Sequence, residues 1–296
     1  MKVEKKNVAL PNGETLTYRE RKGGERNLLL IHGNMASSIH WDVFLEEMDE
    51  TYTIYAVDLR GYGDSTYREP IRSIKDFTTD LKHFVDQIGL EAFSIIGWSN
   101  GGGVAMQYAA NYPQHVEKII LLASLSTRGY PIYQSEESEN GSTTNRLTSK
   151  EEILDDPRLA VTLQAISSKD KQYMKKAWDY LVFDKVQPSE ERYDRYIEAA
   201  LQQRNTIDVM HAANYFNISS KWNGLVDGTG EIRLIEAPVL VLWGKEDRLT
   251  SESMIVEIVE DLESHGKEAK LVYLDAGHFP FIDDLDHVMK EIHDFL

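Results

Sequence analysis

The chain has 296 residues, long enough for one large catalytic domain or for a domain carrying an insertion, and its 42% hydrophobic and 10% aromatic content excludes global disorder. Its 32 basic against 49 acidic residues leave a formal charge of -17, which repels phosphate backbones and anionic lipid and argues against nucleic acid as a partner. There is no cysteine, so disulfides, thiolate metal sites and cysteine nucleophiles are excluded.

The N-terminal stretch MKVEKKNVAL is charged and lacks an apolar signal-peptide core, and no run reaches the ~18 apolar residues that span a bilayer. A soluble, cytoplasmic protein without membrane insertion is expected. The opening then predicts a hairpin: residues 7–10 and 16–20 flank Pro11-Asn12-Gly13, and Asn-Gly is a strong turn signal. Strands are predicted at 28–31, 53–57, 93–97, 118–123, 238–243 and 270–274. They are too short and too uniformly apolar to be half-exposed, as in a parallel sheet covered on both faces. Helices are predicted at 38–48, 74–88, 101–112, 251–263 and 285–296, the third stopped by Pro113, which lacks a backbone donor. Strand and helix alternating in this way predict a mostly parallel, doubly wound α/β sheet.

The alternation breaks at residue 125. From there to 236 no strand pattern occurs, while aromatics and aliphatics take helical spacing at 171–183 (Tyr173, Ala177, Tyr180) and 190–203 (Tyr193, Ile197, Leu201). The polar run 135–150 is expected to be a mobile loop. The organisation expected is a core of 1–124 and 237–296 with a helical cap inserted at 125–236. The Met and Tyr stripes of the cap are expected to serve packing first. Trp178, Tyr180, Phe183, Tyr215, Phe216 and Trp222 are expected near the pocket mouth.

Chemistry concentrates where the strand at 93–97 ends. Residues 93–103 run from strand through Gly97-Trp98-Ser99-Asn100-Gly101 into helix. Glycines permit the sharp turn and leave the serine at a helix N-terminus, where the dipole and free amides favour negative charge on a substrate oxygen. A bare Gly-x-Ser-x-Gly often marks only a tight turn; the strand before it and helix after it make Ser99 the candidate nucleophile.

A serine hydroxyl is a poor nucleophile without a base. Of nine histidines, His278 stands directly after the last predicted strand with Gly277 before it, whereas His40, His83, His115, His211, His265, His287 and His293 read as ordinary surface or core residues. The acid is expected in the turn after the strand at 238–243, where Asp247 has the adjacent Glu246 as its rival. Two backbone amides are expected to hold the oxyanion. One is that of Asn100; the other comes from the loop His32-Gly33-Asn34-Met35, with Asn34 chosen over Met35. The bland alternative for that loop is a glycine turn around a structural His32. Phosphate binding fits poorly, since 97–103 has neither a Lys-Ser/Thr partner nor G-x-G-x-x-G spacing.

These blocks resemble the α/β-hydrolase superfamily, in its order: His32-Gly33-Asn34, Asp58-Leu59-Arg60-Gly61-Tyr62-Gly63-Asp64-Ser65, Gly97-Trp98-Ser99-Asn100-Gly101-Gly102, Gly244-Lys245-Glu246-Asp247 and Gly277-His278. The likeness covers about 1–124 and 237–296. It implies the α/β-hydrolase fold, a serine hydrolase with chain order Ser, Asp, His, no metal or organic cofactor, and a structural role for the 58–65 loop. Serine rather than aspartate at 99 speaks against haloalkane dehalogenases and epoxide hydrolases, and Asn100 replaces the more usual methionine or glutamine. A narrower likeness, carried by Gly97-Trp98-Ser99 through Ala109-Ala110-Asn111-Tyr112-Pro113, Gly129-Tyr130-Pro131, Phe216-Asn217-Ile218-Ser219 and Asn223-Gly224, is to bacterial intracellular depolymerases of short-chain polyhydroxyalkanoates. That likeness implies a 3-hydroxybutyrate polyester or oligoester substrate. The function expected is ester hydrolysis through an acyl-enzyme on a small-molecule or oligomeric ester. Carboxylesterases, lactonases and carbon–carbon bond hydrolases share such a triad, because fold does not set substrate. Outside enzymes, the alternative is a small-molecule receptor that retains the pocket.

Overall fold

The computed structural model describes residues 2–134 and 145–296. The hairpin forms as β1 (Val3–Ala9) and β2 (Thr15–Arg21), paired antiparallel from Val3 opposite Arg21 to Ala9 opposite Thr15. Gly13 in its turn has φ 89°, a left-handed value that costs glycine no Cβ clash. There follow β3 (Arg26–Ile31), α1 (Asp42–Glu47), β4 (Tyr52–Val57), α2 (Ile74–Ile88), β5 (Phe93–Trp98), α3 (Asn100–Asn111) and β6 (Val116–Leu122). The described residues of the stretch after β6 hold five α-helices: α4 (Lys150–Asp155), α5 (Pro157–Ser168), α6 (Lys171–Leu181), α7 (Glu190–Ala200) and α8 (Thr206–Tyr215). The chain then returns to the sheet with β7 (Val239–Gly244), α9 (Glu252–Glu263), β8 (Ala269–Leu274), α10 (Pro280–Asp283) and α11 (Leu285–Phe295). No described helix is long and apolar enough to cross a membrane.

The eight strands make one sheet in the order β1-β2-β4-β3-β5-β6-β7-β8. The β1–β2 and β2–β4 pairs are antiparallel; the remaining pairs are parallel. Successive side chains on a strand point to opposite faces, so a fully apolar strand supplies two cores at once. On one face Leu29, Ile31, Ile95, Ile119 and Val241 pack with residues of α2, α3, α8 and α9. On the other, Leu28, Leu30, Ile96, Ile120 and Leu240 pack with residues of α1, α6, α7 and α11. The strand order reverses around β3, whose neighbours are β4 on one side and β5 on the other. In such sheets the loops beyond the carboxyl ends of the diverging strands open a crevice, and the loops after β3 and β5 flank it here.

Most predicted elements are present with ends shifted by a residue or two, as hydrogen-bond fraying allows. The helix expected at 38–48 divides into a 3₁₀ turn at Ser38–Trp41 and α1. Of the run 135–150, residues 135–144 lie outside the described residues, and Lys150 opens α4 behind the capping residue Ser149. Three helices, α4, α5 and α8, were not anticipated. The apolar residues of α5 and α8 form no single stripe because each of these helices faces two ways, and α4 is a short helix that buries Ile153 alone. On α8, Val209, Ala212 and Ala213 enter the sheet core while Met210 faces a cavity. A local signal for α5 did exist: Asp156 caps the amides of Arg158 and Leu159, and Pro157 occupies the first turn, where its missing donor is harmless.

Candidate active site

Ser99 sits between β5 and α3 with φ 56° and ψ -121°, a left-handed backbone that costs a non-glycine residue about 1–3 kcal/mol. The surroundings hold it there: its amide donates to Leu122 O at 2.9 Å, and its carbonyl accepts from Gly102 N at 2.9 Å and Leu125 N at 3.2 Å. The flanking glycines are required by close approach. A Cβ at 97 would lie 2.4 Å from Gly101 O, and one at 101 would lie 2.3 Å from Ile31 O. Strand, turn and helix therefore meet too tightly for any side chain at those two positions. Asn100, the first residue of α3, has no intrahelical acceptor for its amide, which is left for a ligand.

His278 follows β8 and is almost fully buried. Its Nδ1 lies 3.0 Å and 2.9 Å from the two carboxylate oxygens of Asp247, in the turn after β7. Asp247 accepts further bonds from Leu249 N at 2.7 Å, Thr250 N at 2.9 Å and the Thr250 hydroxyl at 2.6 Å. Burial would push this carboxyl up, but the charge of His278 and the bonds from His278 and Thr250 outweigh it and hold it below the usual carboxylate range. Glu246 points elsewhere, half-exposed and paired with Lys185 at 3.0 Å. The indole of Trp98, the last residue of β5, donates to His278 O at 2.9 Å and ties the histidine loop to the serine turn. Ser99 and His278 share the wall of one cavity without a hydrogen bond between their side chains; such bonds commonly tighten only with substrate in place.

The loop after β3 also borders this cavity, through Asn34 and Met35. His32 is fully buried, its Nδ1 2.8 Å from Gly33 O and its Nε2 accepting from Leu59 N at 3.1 Å, which makes it a brace for the 58–65 loop. The buried Gln203, just beyond α7, spans both loop residues: its Oε1 accepts from Met35 N at 2.9 Å, and its Nε2 donates to Asn34 Oδ1 at 2.7 Å and Asn205 Oδ1 at 2.9 Å. The Met35 amide is thus occupied. The Asn34 amide makes no bond among the described residues and remains free.

The cavity has a volume of about 280 Å³ and is walled by Trp98, Leu125, Leu163, Met174, Val209 and Leu249, among others, with Ser99 and His278. Sequence reasoning missed the aliphatic contributions of α5 and α8, and Gln203 with them. Of the six aromatics expected near the mouth, Trp178 lines the cavity; Tyr180 and Trp222 are exposed, while Phe183 and Phe216 are packed in the core. Tyr215 instead stacks on His211 and donates to Thr148 O. Among the described residues, no group of three or more His, Cys, Asp or Glu side chains is arranged to hold a metal ion.

Comparison with known proteins agrees with this architecture. The chain is 26% identical over 288 residues to the pimeloyl-[acyl-carrier protein] methyl ester esterase of Aliivibrio fischeri, covering 95% of this chain and 98% of that one. A shorter match, 33% over 112 residues, is to the dihydrolipoyllysine-residue acetyltransferase component of the acetoin cleaving system of Cupriavidus necator. It takes in 38% of this chain and only 30% of that protein's length. An esterase from Exiguobacterium antarcticum superposes with a TM-score of 0.72 at 18% identity, covering 99% of both chains, which is a likeness of fold. The alpha/beta hydrolase fold family matches residues 26–285, and the chain belongs to that family.

Proposed function

We propose that the protein is a serine hydrolase of carboxylic esters acting through an acyl-enzyme. Residues 1–124 and 237–296 form the catalytic core, and 125–236 form a cap that walls the site. The observation that carries the reading is the buried His278–Asp247 pair sharing one apolar cavity with a serine held in a strained turn at a helix N-terminus. Ser99 Oγ attacks the ester carbonyl while His278 Nε2 takes its proton; the same proton passes to the departing alkoxide, leaving the acyl group on Ser99. Water then attacks the acyl-enzyme with His278 as base, and the acid and free serine are released. Asp247 holds the imidazole with Nδ1 protonated and stabilises its cationic form. The amides of Asn34 and Asn100 face the oxyanion, each worth about 2.7–4 kcal/mol in the transition state. The esterase from Aliivibrio fischeri supports ester chemistry for this family member.

The oligoester reading has less behind it. Gly129 packs against Ala213 O and Phe216 O; Asn217, Ser219 and Asn223 bond their own loop and its immediate neighbours; only Tyr130 of those segments reaches the cavity, with its hydroxyl donated to Leu249 O. These residues fold the insertion, so 3-hydroxybutyrate oligomers are one arm of the test. Wild type and Ser99→Ala are compared on p-nitrophenyl acetate, a lactone and hydroxybutyrate oligomers, with a fluorophosphonate label located by peptide mapping. Labelling at Ser99 and loss of turnover in the folded variant are expected. Undiminished turnover in Ser99→Ala would overturn the mechanism, and ligand binding without turnover of any arm would indicate a receptor.

A further inference from the structure

We infer that the cavity selects uncharged esters and rejects those carrying a carboxylate on the portion it encloses. The inference rests on the ester-hydrolase reading and specifies its substrate. None of the residues lining the cavity is Lys, Arg, Asp or Glu. The cations adjacent in sequence to the lining are turned away: Arg248, beside Leu249, meets Asp184 at 3.0 Å and Tyr180 O at 3.0 Å; Arg158, beside Leu159, meets Asp156 at 3.2 Å and Tyr133 O; Lys175, beside Met174, pairs with Asp194; and Lys176, beside Ala177, is exposed. The segment 135–144 carries three glutamates and neither lysine nor arginine, so it has no cation to lend.

Three polar groups of the wall are committed as well. The Tyr130 hydroxyl donates to Leu249 O at 2.9 Å, the Thr162 hydroxyl pairs with that of Tyr173 at 3.1 Å, and Asn34 Oδ1 accepts from Gln203 and Tyr62. A carboxylate entering here would lose its water and meet no cationic side chain to offset that loss. The formal charge of -17 acts in the same sense at longer range, lowering the local concentration of anions. The volume, about 280 Å³, is roughly twice the ~150 Å³ that houses one benzene ring, so a medium-chain methyl ester fits.

The test compares methyl heptanoate with monomethyl adipate, nearly isosteric esters differing by a terminal carboxylate, at pH 7.5. Methanol release by wild type is expected to give a kcat/KM about 100-fold or more higher for the neutral ester. Binding is read separately in Ser99→Ala from the fluorescence of Trp98 and Trp178, which line the cavity, and is expected for the heptanoate alone. Leu163→Lys, which places an ammonium on the wall, is expected to raise the adipate-to-heptanoate ratio by about 10-fold. Comparable kcat/KM for both esters, or equal binding to Ser99→Ala, overturns the selectivity while leaving the hydrolase reading intact. Selective binding to Ser99→Ala with neither ester hydrolysed by wild type has the opposite meaning: the cavity's preference stands and the hydrolase reading fails.

Discussion

Gln203 bonds the inserted helices to the loop proposed to hold the oxyanion, and Gln203→Leu measures that coupling. The substitution keeps side-chain bulk and removes three hydrogen bonds, to Met35 N, Asn34 Oδ1 and Asn205 Oδ1. At a net ~1 kcal/mol each the loss is about 3 kcal/mol, and it grows where a partner is stranded in the interior. Asn205 is such a partner, being 1% exposed with Gln203, among the described residues, the one donor to its Oδ1. Asn34 retains the bond from Tyr62 but loses the clamp that sets its peptide plane. A shift of about 1 Å in a catalytic donor costs ~100-fold in rate, so kcat should fall by roughly 10- to 100-fold. KM should change little, because ground-state binding comes from the apolar wall. Urea unfolding gives the stability term, steady-state kinetics with p-nitrophenyl acetate separates kcat from KM, and affinity for a trifluoromethyl ketone reports the oxyanion site directly. A folded Gln203→Leu protein with wild-type kcat and wild-type affinity for the ketone would refute the coupling.

Two further outcomes follow from the site. Asp247→Asn should lower kcat by about 10⁴, the cost of a misdirected imidazole, while Glu246→Gln should stay within about twofold because Glu246 faces Lys185; the reverse ranking in kinetics would transfer the acid role. The second concerns His40, which burial, with the nearby His32, lowers to about 3 in the folded protein from an ordinary 6.5. A base with a lowered folded pKa takes its proton more readily when unfolded. Its stabilisation is complete above pH 6.5 and is lost as pH falls toward 3, at ~1.4 kcal/mol per unit. Urea unfolding from pH 7 to pH 5 should therefore show a shallower decline in His40→Gln than in wild type, and equal slopes would sink the assignment.

Features set by neighbours along the chain can be read without the fold. Gly97 is legible because its neighbour is the backbone of its own turn, Gly101 O and Gly102, within one strand–helix connection; the constraint on Gly101 comes from Ile31 and His32 at the end of β3, which only the fold brings there. The apolar runs of β5, polar only at Ser94, and of β7 reveal a two-faced sheet because pleating alone sends adjacent side chains to opposite cores. The candidate positions Ser99, Asp247 and His278 stand out because each follows a strand whose pattern is visible. Only the tertiary structure distinguished Asp247 from Glu246, since adjacent turn residues diverge and which of them meets His278 depends on how two loops 31 residues apart pack. Only it placed Gln203 against Asn34, 169 residues earlier, and turned single faces of α5, α6 and α8 toward a common cavity. A glutamine after a helix and a leucine on a weakly amphipathic one look alike in any context of neighbours. What they touch is settled by close packing between distant segments, where burial and hydrogen-bond satisfaction, rather than local conformational preference, choose the partner.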